Sequence, residues 1–124
     1  MNADNHDKTR ILIVDDDPSV NMLLRAQLSH LGYAVSQANT AEEALHMLEA
    51  ERNISLVLSD INLPGILDGH GLLHAIQGTG IHTQVILMSG LDLEMDKGMP
   101  FLRKPFTLND VATLINNTMG KTQL

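Results

Sequence analysis

The chain contains no cysteine and no tryptophan, one tyrosine and two phenylalanines. The lack of cysteine excludes disulfides and thiol chemistry. Cationic side chains are also scarce: 8 Lys and Arg stand against 15 Asp and Glu, a net charge of −7. That balance argues against nucleic acid or an anionic membrane surface as a partner. No apolar stretch approaches the roughly 20 residues needed to span a bilayer. The opening segment MNADNHDKTR has no apolar core of the signal-peptide kind. The expected compartment is therefore the cytoplasm, with no membrane partner. With so few aromatics, the seven methionines read as core filler.

What is present fits one soluble domain. The chain has 124 residues, 44% hydrophobic and 19% charged, a size that buries roughly two thirds of the unfolded surface. Four short apolar runs read as buried strands, since each is bounded by polar or turn residues. They are Arg10–Val14, Leu56–Ser59, Gln84–Met88 and Phe101–Arg103. Tyr33–Ala38 is a weaker, alternating strand suited to a sheet edge.

Helices are expected between these strands. Asp17 followed by Pro18 reads as an N-cap and a first-turn proline. Val20, Leu23, Leu24, Leu28 and Leu31 form the apolar stripe of the first helix, which Gly32 stops. Thr40 and Glu43 form a capping box that opens a helix over Ala41–Ala50. A short helix spans Gly69–Ile76. Thr107 and Asp110 open a last helix that runs to about Thr118. Strands alternating with helices imply an α/β, doubly wound parallel sheet with helices on both faces. Residues 1–9 and 120–124 are expected to be tails around a domain at 10–119.

The polar residues that end these strands carry the chemistry. Asp15 and Asp16 follow the first run, Asp60 the third strand, Ser89 the fourth, and Lys104-Pro105 the fifth. In parallel strands these ends open on one edge, where open α/β sheets bind ligands. Three carboxylates, a hydroxyl and an ammonium in one crevice outline a site for a divalent metal and a phosphate.

On these motifs the chain resembles the receiver domain of bacterial two-component response regulators. The likeness runs from about Arg10 to Thr118. It rests on IVDDDP, the SDINLPG block, the Asp-Gly of LDGHG, the Ser-Gly after strand four, and the KPF triplet. The resemblance implies a five-stranded sheet of order 2-1-3-4-5 and phosphoryl transfer to an aspartate from a histidine kinase or a phosphotransfer domain. By position, Asp60 matches the phosphoacceptor. Asp15 and Asp16 match the acidic pair that holds Mg²⁺ (or Mn²⁺), and Asn62 matches the residue whose backbone carbonyl is a further metal ligand. Ser89 matches the hydroxyl that bonds the phosphoryl group. Lys104 matches the lysine before a cis proline, here Pro105, and Phe101 matches the aromatic switch position. The implied protein is a signalling switch that catalyses its own phosphorylation and dephosphorylation, rather than an enzyme acting on a separate substrate.

The chemistry suits those residues. With strands one and three adjacent, Asp15, Asp16 and Asp60 would crowd and repel, raising one another's pKa. A divalent cation with oxygen ligands would relieve that repulsion. A carboxylate can attack phosphorus, and Lys104, Ser89 and the metal can share the charge of the transition state.

Two rival classes share parts of the pattern. Asp15-x-Asp17 after a strand also resembles the nucleophile loop of haloacid-dehalogenase-like phosphatases, which would make Asp15 the nucleophile. A flavodoxin-like FMN carrier would share the fold, but an acidic loop would repel its phosphate. His70 and His74, spaced i, i+4, read as a solvated helix face rather than metal ligands.

The chain departs from the receiver pattern in two spacings, besides carrying Ser89 for the commoner threonine and Phe101 without a phenolic hydroxyl. Only the eleven residues Gly90–Pro100 connect strands four and five, so helix four is expected to be shortened or missing. PGILDG carries one residue more than usual between the proline and the Asp-Gly pair. No output domain fits in the residues left over, which implies a single-domain regulator or a piece of a longer protein. LRKPF and the short link are closer to receivers of hybrid sensor kinases.

Overall fold

The computed structural model describes residues 9–51, 53–90 and 100–119. Five strands, β1 (Arg10–Val14), β2 (Ala34–Ala38), β3 (Ile54–Asp60), β4 (Gln84–Ser89) and β5 (Phe101–Arg103), form one sheet. Every neighbouring pair is parallel and the order is β2-β1-β3-β4-β5. Among the described residues the helices are α1 (Pro18–His30), α2 (Ala41–Ala50), α3 (Gly69–Gly78) and α4 (Leu108–Met119). This is the expected doubly wound α/β fold.

Alternation along the strands builds two cores. Leu12, Val14, Val57 and Leu87 face Ala44 and Leu48 of α2 and Leu72 and Ile76 of α3. Ile11, Ile13, Leu56, Leu58, Ile86 and Met88 face Leu24 and Leu28 of α1 and Val111 and Ile115 of α4. The central strands are apolar throughout because both faces are covered. β2 lies at the edge and is only half-buried over most of its length.

Local chemistry sets the helix ends. The Asp17 carboxylate accepts the Ser19 N–H at 2.9 Å, and Pro18 occupies the first turn. Thr40 Oγ1 accepts Glu43 N–H at 3.0 Å, while Glu43 reaches back to Asn39 N–H at 2.9 Å. Thr107 and Asp110 bond reciprocally at 2.9 and 3.0 Å, a complete capping box. Asp68 caps α3 by accepting Gly71 N–H at 2.8 Å. Gly32, with φ +97°, ends α1 in a conformation that favours glycine.

Several boundaries differ from the sequence expectation. The Tyr33 N–H closes α1 on the Leu28 carbonyl at 3.0 Å, so β2 begins one residue later. β3 begins at Ile54 and continues to Asp60, which pairs with Met88 of β4. Within α1, Leu23 is 47% exposed, and Asn21 is buried in line with Leu24 and Leu28. The i, i+3, i+7 face that meets the sheet therefore contains an amide, and Leu23 points away from it. The expectation of a shortened or missing helix four, and most of both tails, fall outside the described residues. No helix among the described residues is long and apolar enough to cross a membrane.

Candidate functional site

β1, β3, β4 and β5 deliver their terminal residues to one edge. Asp15 is 1% exposed, and each of its oxygens has a partner. Oδ1 accepts the Asp17 N–H at 2.9 Å, Oδ2 meets Lys104 Nζ at 2.9 Å, and its backbone carbonyl accepts Asn21 Nδ2 at 2.7 Å. Asp16 follows it and is exposed. Asp60 lies across the β1–β3 pairing, with Oδ1 3.6 Å from Lys104 Nζ. Asp15, Asp16 and Asp60 each offer a carboxylate oxygen, all within 4.8 Å of one another. An all-oxygen donor set of this size suits a hard divalent cation such as Mg²⁺.

Burial pushes the Asp60 carboxyl above the usual aspartate range, and the Asp15 charge adds to that rise. Lys104 and the nearby Asn62 backbone N–H act against it. Lys104 is itself held by the sheet: its N–H donates to the Ser89 carbonyl at 2.9 Å, and the Lys104–Pro105 peptide is cis. Ser89 ends β4 and is buried. Phe101 is half-buried against the α2 and α3 core, two residues back along β5 from Arg103, the partner of Ser89.

Asp15, Asp16, Asp60 and Lys104 are thus brought together, with Ser89 on the adjoining strand end. The Asn62 backbone N–H acts electrostatically on Asp60, whereas the expectation concerned its carbonyl. Phe101 sits back from the crevice, as a residue at the start of its strand must. Exposed His70 and His74 join no cluster of potential metal ligands among the described residues.

Three further residues shape the site and were given no part in its chemistry from the sequence. Asn21 clamps the Asp15 backbone; its spacing with Leu24 and Leu28 was the available signal. Gly69 packs so closely under β3 that an added Cβ would strike the Asp60 carbonyl and come within 2.8 Å of Ile61 Cα. Its place in an Asp-Gly pair hinted at a tight approach. Glu42, on α2, accepts the Ile66 and Leu67 N–H groups at 3.2 and 3.0 Å and so holds the β3–α3 loop. No local pattern announces a contact between residues so distant in sequence.

Sheet order and strand-end carboxylates define a doubly wound α/β protein with an acidic, lysine-bearing site at its switch edge. The chain belongs to the response regulator receiver domain family, which it matches over residues 11–116. It is 34% identical over 124 residues to the response regulator MprA of Mycobacterium tuberculosis, covering 92% of this chain and 52% of that protein. It is 38% identical over 114 residues to the sensor histidine kinase RcsC of Salmonella typhimurium, covering 86% of this chain and 12% of RcsC. The chain therefore spans about half of the first relative and a small part of the second. The receiver domain of the sensor histidine kinase PA1611 from Pseudomonas aeruginosa superposes with a TM-score of 0.81 at 26% identity, covering 92% of this chain and 99% of that one. That structure holds a magnesium ion coordinated in its active-site cleft. The protein is a phosphoacceptor receiver of the two-component type. The phosphatase alternative is not supported: Asp15, its would-be nucleophile, is buried with one oxygen on Lys104 and the other on the Asp17 N–H.

Proposed function

We propose that Asp60 is the phosphoacceptor, and that Asp15, Asp16 and Asp60, with the Asn62 backbone carbonyl, hold Mg²⁺ or Mn²⁺. The observation that carries this reading is the position of Asp60, within 3.6 Å of Lys104 and grouped with Asp15 and Asp16. The donor is a phosphohistidine on a histidine kinase or a phosphotransfer domain. An Asp60 carboxylate oxygen forms the new O–P bond while the N–P bond of the donor breaks. The bonding pair returns to the imidazole nitrogen. A divalent cation bound by the acidic cluster supplies positive charge to the phosphoryl oxygens.

This chain's own groups do the rest. The Asn62 backbone N–H favours the ionised form of Asp60. Lys104 takes up charge on the transferring group and remains as its counter-ion. The Ser89 hydroxyl bonds a phosphoryl oxygen. Added phosphate brings close to two negative charges. Ser89 and Lys104 answer that charge, and Phe101, on the strand that leads into Lys104, repacks with them. The result is a biased two-state protein-interaction surface, read by a downstream protein in the cytoplasm. The protein promotes its own phosphorylation and dephosphorylation, with Asp60 itself as the acceptor.

Intact mass after incubation with acetyl phosphate tests the assignment. One phosphoryl group should be gained with Mg²⁺ or Mn²⁺ and none with a chelator. Asp60→Asn should gain none, and undiminished labelling of that variant would reject Asp60.

A further inference from the structure

Asn21 is anomalous. It lies on the face of α1 that packs on the sheet, in line with Leu24 and Leu28, and is 4% exposed. An apolar side chain there would complete the stripe and bury no amide. The amide instead makes one described bond, from Nδ2 to the Asp15 carbonyl at 2.7 Å. Its Oδ1 is buried with no partner among the described residues. A buried polar atom without a partner costs stability, and such costs collect where function requires them.

The Asp15 carbonyl belongs to the peptide plane shared with Asp16. Fixing it sets ψ of Asp15 and with it the position of the Asp16 Cα, from which the Asp16 side chain projects. Asp15 has other restraints, since its carboxylate is held by Lys104 and by the Asp17 N–H. Asp16 has none of that kind: it is exposed, and no described group bonds its carboxylate. Its placement beside Asp15 and Asp60 depends on the backbone of a turn of three residues, between the end of β1 at Val14 and the start of α1 at Pro18. The clamp is supplied by the helix that follows the turn, so the rigid α1–sheet packing is transmitted to the ligand set.

We propose that Asn21 is a positioning residue for the metal site, holding the Asp15–Asp16 peptide plane so that both carboxylates meet one cation. This rests on the reading of Asp15, Asp16 and Asp60 as the metal ligands. Asn21 touches neither cation nor phosphoryl group, so its effect falls on affinity for the cation and not on the transfer itself.

The test uses the full chain and Mg²⁺ alone as probe, with Asn21→Leu and Asn21→Ala beside Asp16→Asn. Titration calorimetry gives Mg²⁺ affinity, and thermal unfolding in chelator gives metal-free stability. Both Asn21 variants should stay folded, because Leu24 and Leu28 still anchor α1. Each should bind Mg²⁺ about tenfold more weakly, the size of one buried hydrogen bond. Acetyl phosphate labelling should then recover to near the parental rate at saturating Mg²⁺. Unchanged Mg²⁺ affinity in both variants would overturn the proposal, and so would labelling that stays slow at saturating Mg²⁺. Loss of the fold in both would also overturn it, since Asn21 would then be a core residue. If Asp16→Asn leaves Mg²⁺ affinity unchanged, it is the underlying ligand assignment that fails, and the Asn21 variants report separately on that.

Discussion

Lys104 Nζ lies 2.9 Å from Asp15 Oδ2 and 3.6 Å from Asp60 Oδ1, so one ammonium bridges both carboxylates. The repulsion expected among the three acids is partly answered within the chain, without metal. Asp15 is almost wholly buried and depends most on that charge, whereas Asp16 is exposed and its repulsion is screened by water.

The first prediction follows for the metal-free protein. Lys104→Met removes the cation and strands the Asp15 carboxylate in the interior. Removing one partner of a buried pair costs roughly 3–5 kcal/mol; Lys104 keeps a side-chain exposure of 21%, so a loss nearer 2 kcal/mol is expected. Mg²⁺ should restore more stability to this variant than to the parent, by mass action on a site with no competing ammonium. Chemical unfolding in chelator and in Mg²⁺ checks both; an unchanged metal-free stability would contradict the bridge.

The second prediction concerns pH. The Asp60 carboxyl is raised above its ordinary value of 3.8, first by burial and then by Asp15. The native state therefore binds this proton more tightly than the unfolded chain. Stability contributed by this group falls as pH rises from about the unfolded value through the raised native one. Above that window the ionised carboxylate is a net cost. Asp60→Asn should then be more stable than the parent at neutral pH in chelator, and the difference should shrink as pH drops toward 4. Unfolding across that range decides it; a gain that grows on acidification would reverse the sign.

A third prediction concerns the β3–α3 loop. Glu42 accepts two loop N–H groups, and Gly65, with φ +100°, would bring an added Cβ within 2.8 Å of Glu42 Oε1. Bonds from its own N–H and the loop hold the Glu42 carboxyl below its ordinary value of 4.5. The anchor should thus persist above that value and release as pH falls through the lowered one. Ile66 is 93% exposed and adds no packing. Glu42→Ala should speed amide exchange at Ile66 and Leu67 several-fold with little change in global stability. Equal exchange in parent and variant would mean the loop is held by Leu63 and Leu67 alone.

Much of this molecule was readable along the chain, for physical reasons that also mark the boundary of that reading. Alternation within β1 and β3, and the caps at Asp17, Thr40 and Thr107, are local signals, and they placed the elements closely. Asp15, Asp60 and Lys104 were legible because parallel topology carries every strand end to one edge. Leu23 was misjudged because a stripe broad enough to include it spans more of the helix than the sheet covers. Asn21 escaped notice because amides are ordinarily solvated, and only packing reveals one facing a carbonyl. Glu42 depends on a loop conformation enabled by Gly65, which pairwise spacing does not encode.

The last prediction turns on Gly69. The first turn of α3 is stitched to the residue just past β3 by a bond from Gly69 N–H to the Ile61 carbonyl at 2.8 Å. That approach leaves no space for a side chain: the obstacles are the Asp60 carbonyl and Ile61 Cα, at 2.8 Å for the latter. Both are backbone and cannot rotate aside. Gly→Ala within a helix ordinarily gains stability by propensity. Here the clash must move α3 away or push the end of β3 outward, and overpacking of this kind costs about 1–3 kcal/mol. Because Asp60 lies at the point of contact, the displacement also shifts the carboxylate relative to Lys104 and Asp15. Gly69→Ala should therefore lose stability and also slow acetyl phosphate labelling at saturating Mg²⁺. Gly78→Ala, where an added Cβ meets nothing within 4 Å, should do neither. Parental labelling in Gly69→Ala with reduced stability would show that helix α3 yields and that the end of β3 stays in place.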